Sequence, residues 1–459
     1  MSTIAKKKTV DMTEGSPLGH IVRFVIPMIL GMLFQQLYNI VDAIVVGRWL
    51  GVEALAGIGS TGSINFMVIG FCMGIGSGFA LPVANSFGAK DYKTMRRYVG
   101  NGICLSLMFS VIITVAVAIF CKDILLLMGT PEDIFSYAYQ YIFVIFLGIP
   151  VLYAYNYLAA LLRSLGDSKS PVYFLVISTA LNVVLDIFAV MVLKMGVLGP
   201  AIATVVAQGV SVVLCYVYIL RRFDLLRLTG SDLRPDRRMM GRLVSFGLPM
   251  GFQYSITAIG SLIMTAATNA LGSACVASHA AAVKVTGVLS CPFDALGGTM
   301  ANYAGQNAGA GKIKRIKSGA GYAMLMGGIY ALLVFALFWL FGDVFTMAFV
   351  EGSETEIIAN SHLYLVMVSA FYILLCAVNV FRFALQGMGY SSLAMTAGVM
   401  EMVGRSLVGI WLVPRIGFPA TGLASPVAWI LAVAFLVPAF FVCCRCLERK
   451  RIFAGEPVA

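Results

Sequence analysis

The chain has 459 residues, of which 60 % are hydrophobic and only 12 % charged, against roughly 45–50 % and about 25 % in ordinary soluble domains. With a mean hydropathy of +0.92 and no Gly-X-Y period, this composition excludes a soluble enzyme, a disordered chain and a fibrous protein, and leaves a polytopic membrane protein. The 32 Lys+Arg against 21 Asp+Glu give a net charge of +11, whose meaning depends on where the charges fall.

In chain order, apolar runs long enough to cross a bilayer, about 20 residues each, centre on 21–47, 54–84, 98–121, 134–162, 171–193, 197–220, 243–271, 276–304, 319–341, 357–386, 393–413 and 419–443. Backbone groups in lipid must be bonded within their own segment, and the alternating strands of a barrel are absent, so an all-α protein of twelve transmembrane helices is predicted. The first run exceeds the apolar core of a cleavable signal, about 7–15 residues, and reads as a first span.

The loops carry the charge. With both termini in the cytoplasm, the inside segments hold 25 of the 32 basic residues: Lys6 to Lys8 with Arg23, then Lys90, Lys93, Arg96 and Arg97, then Arg163 and Lys169, seven arginines from Arg221 to Arg242, Lys312, Lys314, Arg315 and Lys317, and Arg445 with Arg449, Lys450 and Arg451. Outside loops hold Arg48, Lys122, Lys194 and Arg415, and Lys284, Arg382 and Arg405 lie within spans. This asymmetry predicts a multi-pass protein of the cytoplasmic membrane with cytoplasmic termini, its basic excess facing the anionic inner leaflet rather than nucleic acid. The outer loops carry Asp123, Glu132, Asp133, Glu351, Glu354 and Glu356 and read as solvated. Ten cysteines are scattered, with no CxxC and no histidine at metal spacing; neither a disulfide framework nor a zinc site is expected.

The two halves match when shifted by about 222 residues. Phe24-x-x-Pro27-Met28 recurs as Phe246-x-x-Pro249-Met250, Gly88-Ala89 with its basic run as Gly309-Ala310, and Asn156…Leu162…Gly166 as Asn379…Leu385…Gly389. Six spans per half is an even number, so the two bundles are predicted as a parallel repeat. The basic linker divides a lobe of residues 1–225 from one of 226–459. Pro27 and Pro249 each fall one turn into a span and mark bend points or tolerated kinks.

Acids inside spans are costly, which makes Asp42, Asp186, Asp294 and Glu401 functional candidates. Glu401 and Arg405 lie four apart on one helix face and neutralise each other. Asp294 has Lys284 ten residues away, about 15 Å along the axis, so its partner comes from another helix, with Arg382 or Arg405 available. Asp42 and Asp186 both fall roughly 8–12 Å below the outer surface, where Asn182, four residues before Asp186, and Thr204 of the descending sixth span reach the same level. Two carboxyls, an amide and a hydroxyl make an oxygen-rich site for a cation, either Na⁺ or H⁺. In the repeat, Met264, Arg405 and Gly409 stand opposite Asp42, Asn182 and Asp186, so only the first half carries this constellation. Gln35, Asn39 and Asp42 form a polar stripe that either continues the ion path or lines a substrate cavity.

Phe34-Gln-Gln-Leu-Tyr-Asn-Ile-Val-Asp42 running into Val46-Gly47-Arg48, Gly88-Ala89, Leu165-Gly166-Asp167, Asn182-x-x-x-Asp186, Gly199-Pro-Ala-Ile-Ala-Thr204 and Gln306-Asn-Ala-Gly-Ala310 resemble the multidrug and toxic compound extrusion (MATE) transporters over nearly the whole chain. The resemblance implies a V-shaped pair of six-helix lobes exporting drugs or metabolites in exchange for inward H⁺ or Na⁺, with a first-lobe cation site at Asp42, Asn182, Asp186 and Thr204. The acid that a sodium-coupled branch carries in span 7 is missing from Gly247 to Leu271, which places the chain nearer the DinF-like or MepA-like branches. The expected function is therefore cation-coupled antiport of organic, cationic amphipathic compounds by a monomer with no cofactor, no obligate protein partner, no catalytic residue and no metal apart from a coupling Na⁺. Gln35, Asn39, Asn156, Asp294 and Glu401 are the substrate-cavity candidates. A lipid-linked precursor flippase of the same architecture would need a strongly cationic cleft, and the spans hold three basic residues, all in the second half. An integral membrane transferase would need clustered acids or a nucleophile with histidine, and His20, His279 and His362 lie far apart in the sequence.

Overall fold

The computed structural model describes residues 10–347 and 354–453; Lys6 to Lys8 and Glu351 of the charge pattern lie outside them. Among the described residues every regular element is a helix. In chain order these are α1 (Pro17–Trp49), α2 (Val52–Ser60), α3 (Gly62–Gly88), α4 (Tyr92–Ile119), α5 (Cys121–Leu127), α6 (Glu132–Leu147), α7 (Ile149–Ser164), α8 (Lys169–Ile187), α9 (Leu198–Arg222), α10 (Arg237–Asn269), α11 (Ser273–Gly309), α12 (Ile313–Met347), α13 (Thr355–Ser369), α14 (Tyr372–Gly387), α15 (Ser391–Leu407), α16 (Val413–Ile416) and α17 (Pro419–Phe453).

They make the twelve expected spans. Nine helices are long and apolar enough to cross a membrane, and the pairs α6–α7 and α13–α14 each form one bent span, the bends being 50° and 48°. The remaining span is α10, whose stretch from Gln253 to Asn269 is diluted by Ser255, Thr257, Ser261, Thr265 and Thr268. The second predicted span is two helices, broken at Thr61, whose hydroxyl turns back to the Ile58 carbonyl at 2.7 Å. The repeat is built into the backbone: the two bends fall at Gly148 and Ala370, and α8 and α15 both run into a π-helical turn, Phe188–Val192 and Val408–Leu412. A Cβ on Gly148 would sit 2.3 Å from Val205 Cγ2, so the bare backbone at the first bend is what lets α9 approach.

The chain forms two compact units, residues 1–11 with 27–251 and residues 12–26 with 252–459. This division differs from the 1–225 and 226–459 lobes read from the linker. α1 changes unit at Pro27 and α10 just past Pro249, although both helices run through their prolines. In the first unit, the linker is strapped to α4. Arg97 donates to Asp236 Oδ2 at 2.8 Å, Asn101 Oδ1 accepts from the Asp236 amide at 2.8 Å, and Arg96 lies 3.8 Å from Asp232. The Met239 and Arg238 amides, aided by Arg97, hold the Asp236 carboxyl below the usual carboxylate range. The start of α10 then packs on α3 backbone to backbone, with Gly74 and Gly78 facing Met250, Gly247 and Gly251. Small residues four apart on each helix permit that approach.

In the second unit, the segment before α1 is held the same way. Gln306 Oε1 accepts from the Met12 amide at 2.9 Å, Lys312 donates to the Thr13 carbonyl at 2.9 Å, and Arg315 donates to the carbonyls of Met12 and Gly15 at 3.0 and 2.8 Å. Linker length could not reveal either strap, because both are made by side chains more than 100 residues away in sequence.

A Cβ at Gly78 would fall 2.4 Å from Gly247 Cα, and neither backbone can yield without separating the helices. Gly78→Val is expected to lower the thermal midpoint of the detergent-solubilised protein by several degrees, overpacking costing roughly 1–3 kcal/mol. Gly321→Ala, on an open face of α12, should leave it unchanged or raise it.

Candidate functional site

The first unit brings three helices together around one carboxyl pair. Asp42, two turns before the end of α1, and Asp186, at the end of α8, are in hydrogen-bond contact with each other. Asp186 is fully buried and Asp42 nearly so. Asn182, one turn earlier on α8, donates to Asp186 Oδ1 at 3.4 Å. Thr204 of α9 meets the pair through Tyr38, whose hydroxyl lies 2.6 Å from Thr204 Oγ1. The four residues placed by depth in the sequence therefore converge, and Asp42 Oδ1 is buried without a hydrogen-bond partner.

Two members of this site are absent from the sequence reading. Tyr38 is one, lying four residues before Asp42 and so on its face. The other is Tyr141 of α6, a buried ring within electrostatic range of Asp42, Tyr38 and Asp186. Tyr38 was detectable, since Gln35, Tyr38 and Asp42 satisfy helical spacing as well as Gln35, Asn39 and Asp42 do. Tyr141 was one of six tyrosines in its region with nothing in sequence to single it out; Tyr153 and Tyr157 are core side chains instead.

On the side of the pair away from the C-terminal ends of α1 and α8 lies a cavity of about 30 Å³, lined by Gln35, Tyr38, Ser178, Thr179, Asn182, Thr204 and Gln208 with Leu175 and Ala207. Gln35 lines this cavity. Asn39 does not line it, and its amide donates to Gln36 on its own helix at 3.4 Å. Asn156 likewise turns back, donating to the Leu152 carbonyl at 2.8 Å.

The second unit treats its acids differently. Glu401 of α15 is salt-bridged to Arg382 of α14 and lies 3.6 Å from Arg405, four residues on. Asp294 of α11 accepts from Asn379 at 3.2 Å and shares the field of Arg382. In this tetrad Glu401 and Arg382 are buried, Arg405 is half-buried and Asp294 is exposed; Glu401 thus stands between two arginines, whereas Asp42 and Asp186 stand against each other. The Arg405–Glu401 pairing follows from i,i+4 spacing; the closer Arg382–Glu401 pair, between helices, does not.

Comparison with known proteins follows the same division. The sequence model of the family described as MatE matches the chain twice, over residues 27–188 and 249–411, the offset of the internal repeat. The chain belongs to the MATE family. Members of this family are membrane transporters rather than enzymes. The chain is 27 % identical over 427 residues to "Probable multidrug resistance protein YpnP" of Bacillus subtilis, covering 92 % of this chain and 91 % of the relative. It is 29 % identical over 352 residues to "Probable multidrug resistance protein YoeA" of the same organism, covering 73 % and 74 %. A solved structure described as the outward-facing conformation of a multidrug resistance MATE family transporter superposes with a TM-score of 0.89 at 23 % identity, covering 96 % of this chain and 99 % of that one. The MATE fold is thus present over its full extent, in a multi-pass membrane protein that moves small molecules.

Removing one member of the tetrad leaves buried charge behind. Glu401→Gln and Arg382→Gln are each expected to destabilise the protein by roughly 3–5 kcal/mol, read as a fall in thermal midpoint in detergent. The double variant should lose less than the sum of the two, as contacting partners do.

Proposed function

We propose that this MATE protein is an antiporter that exports organic, cationic amphipathic compounds across the cytoplasmic membrane by alternating access, driven by inward movement of H⁺ or Na⁺ through the site formed by Asp42, Asn182, Asp186 and Thr204. The observation that carries this reading is the contact between the Asp42 and Asp186 carboxyls. Two carboxylates at that distance in a low-dielectric interior cannot both stay ionised without a proton or a metal ion between them. The site therefore exists in at least two states, with and without its cation, and the cation's arrival removes a repulsion between α1 and α8.

That change is mechanical as well as electrostatic. Tyr38 ties α1 to α9 through Thr204, so drawing Asp42 toward Asp186 also moves the polar face of α1 against both helices. A substrate whose binding depends on that face is released when the cation arrives, and the exchange is antiport. The printed names of the relatives, multidrug resistance proteins, support a broad organic substrate range. The basic loop ends support cytoplasmic termini, and the ion pairs of Glu401 with Arg382 and Arg405 support a bracing role for Glu401. One charge crossing 100 mV supplies about 2.3 kcal/mol, enough for roughly 50-fold accumulation per ion.

Ethidium efflux tests the reading. In proteoliposomes, Asp42→Asn and Asp186→Asn are each expected to lose gradient-driven ethidium transport by at least about tenfold; normal transport in both variants would refute the assigned site. Imposing a pH gradient or a Na⁺ gradient separately identifies the ion, and a response to neither would refute the coupling.

A further inference from the structure

The helices bearing the carboxyl pair continue away from it as polar faces. On α9, Thr204, Gln208, Ser211 and Tyr218 fall on one side; on α8, Asp186, Asn182 and Ser178 do. The two faces meet along their length. The Ser211 hydroxyl donates to the Phe174 carbonyl at 3.2 Å, and the Tyr218 hydroxyl donates to Asp167 Oδ2 at 3.2 Å. Every step from Asp42 to Gln35, from Asp186 to Ser178 and from Thr204 to Gln208 runs the same way, toward the helix ends that carry Lys169, Arg221 and Arg222.

The 30 Å³ cavity lies along this seam, beginning about one helical turn, near 5 Å, from the carboxyls. A water needs about 10–15 Å³ of such volume, so the cavity has room for two waters or for one partly hydrated monovalent cation. Its far wall is Gln35, Ser178, Thr179 and Gln208, which supply oxygen but no charge. Gln208 Oε1 is buried and accepts no hydrogen bond from the protein, a cost that a water or a cation in the cavity removes. Beyond Ser211 the Phe174 and Tyr218 rings pack edge to face at 5.4 Å, filling the seam before Asp167.

We propose that this cavity is a second station for the coupling cation, a neutral, hydrated site one turn below the carboxyl pair, from which the ion leaves toward the basic helix ends. Its chemistry suits release: a conducting path needs sites that hold an ion well enough to receive it and weakly enough to pass it on. The carboxyl pair provides the first kind of site and the uncharged oxygens the second. The inference rests on the cation-coupled reading above and concerns the ion's exit rather than its capture.

Gln208→Leu and Ser178→Val remove oxygen from the far wall and leave the carboxyls in place. Two measurements separate capture from exit: displacement of ethidium by H⁺ or Na⁺ at equilibrium in detergent, and gradient-driven ethidium transport in proteoliposomes. Both variants are expected to keep wild-type displacement and to transport about tenfold more slowly, while Gln208→Asn and Ser178→Thr, which keep the oxygens, should transport within about twofold of wild type. If Ser178→Val lowers the thermal midpoint, Ser178→Ala, smaller than the native side chain, replaces it. Wild-type transport in the leucine variant and in the Ser178 variant would overturn the second station, and so would loss of displacement together with transport, since the cavity would then be part of the carboxyl site. Normal transport in Asp42→Asn marks failure of the antiport reading instead, whatever the cavity variants do.

Discussion

Two aspartates in contact inside a membrane protein set the terms for everything around them. Each carboxyl by itself costs free energy in lipid, and bringing them together adds repulsion unless a positive particle is shared. The protein holds them there with three elements: α1 delivers Asp42 and Tyr38, α8 delivers Asp186 and Asn182, and α9 closes the arrangement through the 2.6 Å contact of Thr204 with Tyr38. These contacts tie three separate helices to the carboxyl pair.

The second unit shows what the same scaffold does without that arrangement. Its backbone repeats the first in register, with a span bent by 48° against 50° and a π-helical turn at the matching place. Its buried acid Glu401, however, meets Arg382 and Arg405, so its charge is matched by the protein itself, while the exposed Asp294 accepts from Asn379. The fold is therefore shared between the halves while the chemistry belongs to one. The π-helical turn next to Asp186 is part of the repeat and not a mark of the carboxyl pair, since the second half has the turn and lacks the pair.

Rigid packing supports both halves. Where α10 begins, glycines let its backbone touch that of α3, and the straps formed by Asp236 on α4 and by Met12–Gly15 on α11 and α12 use hydrogen bonds to backbone groups. The Gln306-Asn307 pair, part of the stretch that resembles the family, serves in such a strap: Gln306 accepts from Met12, and Asn307 donates to its carbonyl at 3.3 Å. A family motif here marks a structural clamp.

The spans, the repeat and its register, and the depth shared by Asp42, Asn182, Asp186 and Thr204 are all legible in the linear pattern of residues. Those follow from one-dimensional quantities: the length of an apolar run, a fixed offset, and the rise per residue of a helix. The tertiary structure alone decided which face of each helix meets which neighbour. Helical spacing permits both Tyr38 and Asn39 beside Gln35 and Asp42, and only the position of α9 selects Tyr38; only the approach of α6 singles out Tyr141, and only that of α14 gives Glu401 its closer partner Arg382. Rotation about a helix axis costs a lone helix in lipid almost nothing and is fixed when several helices pack, so contacts between helices are the part of this protein that its linear pattern leaves open.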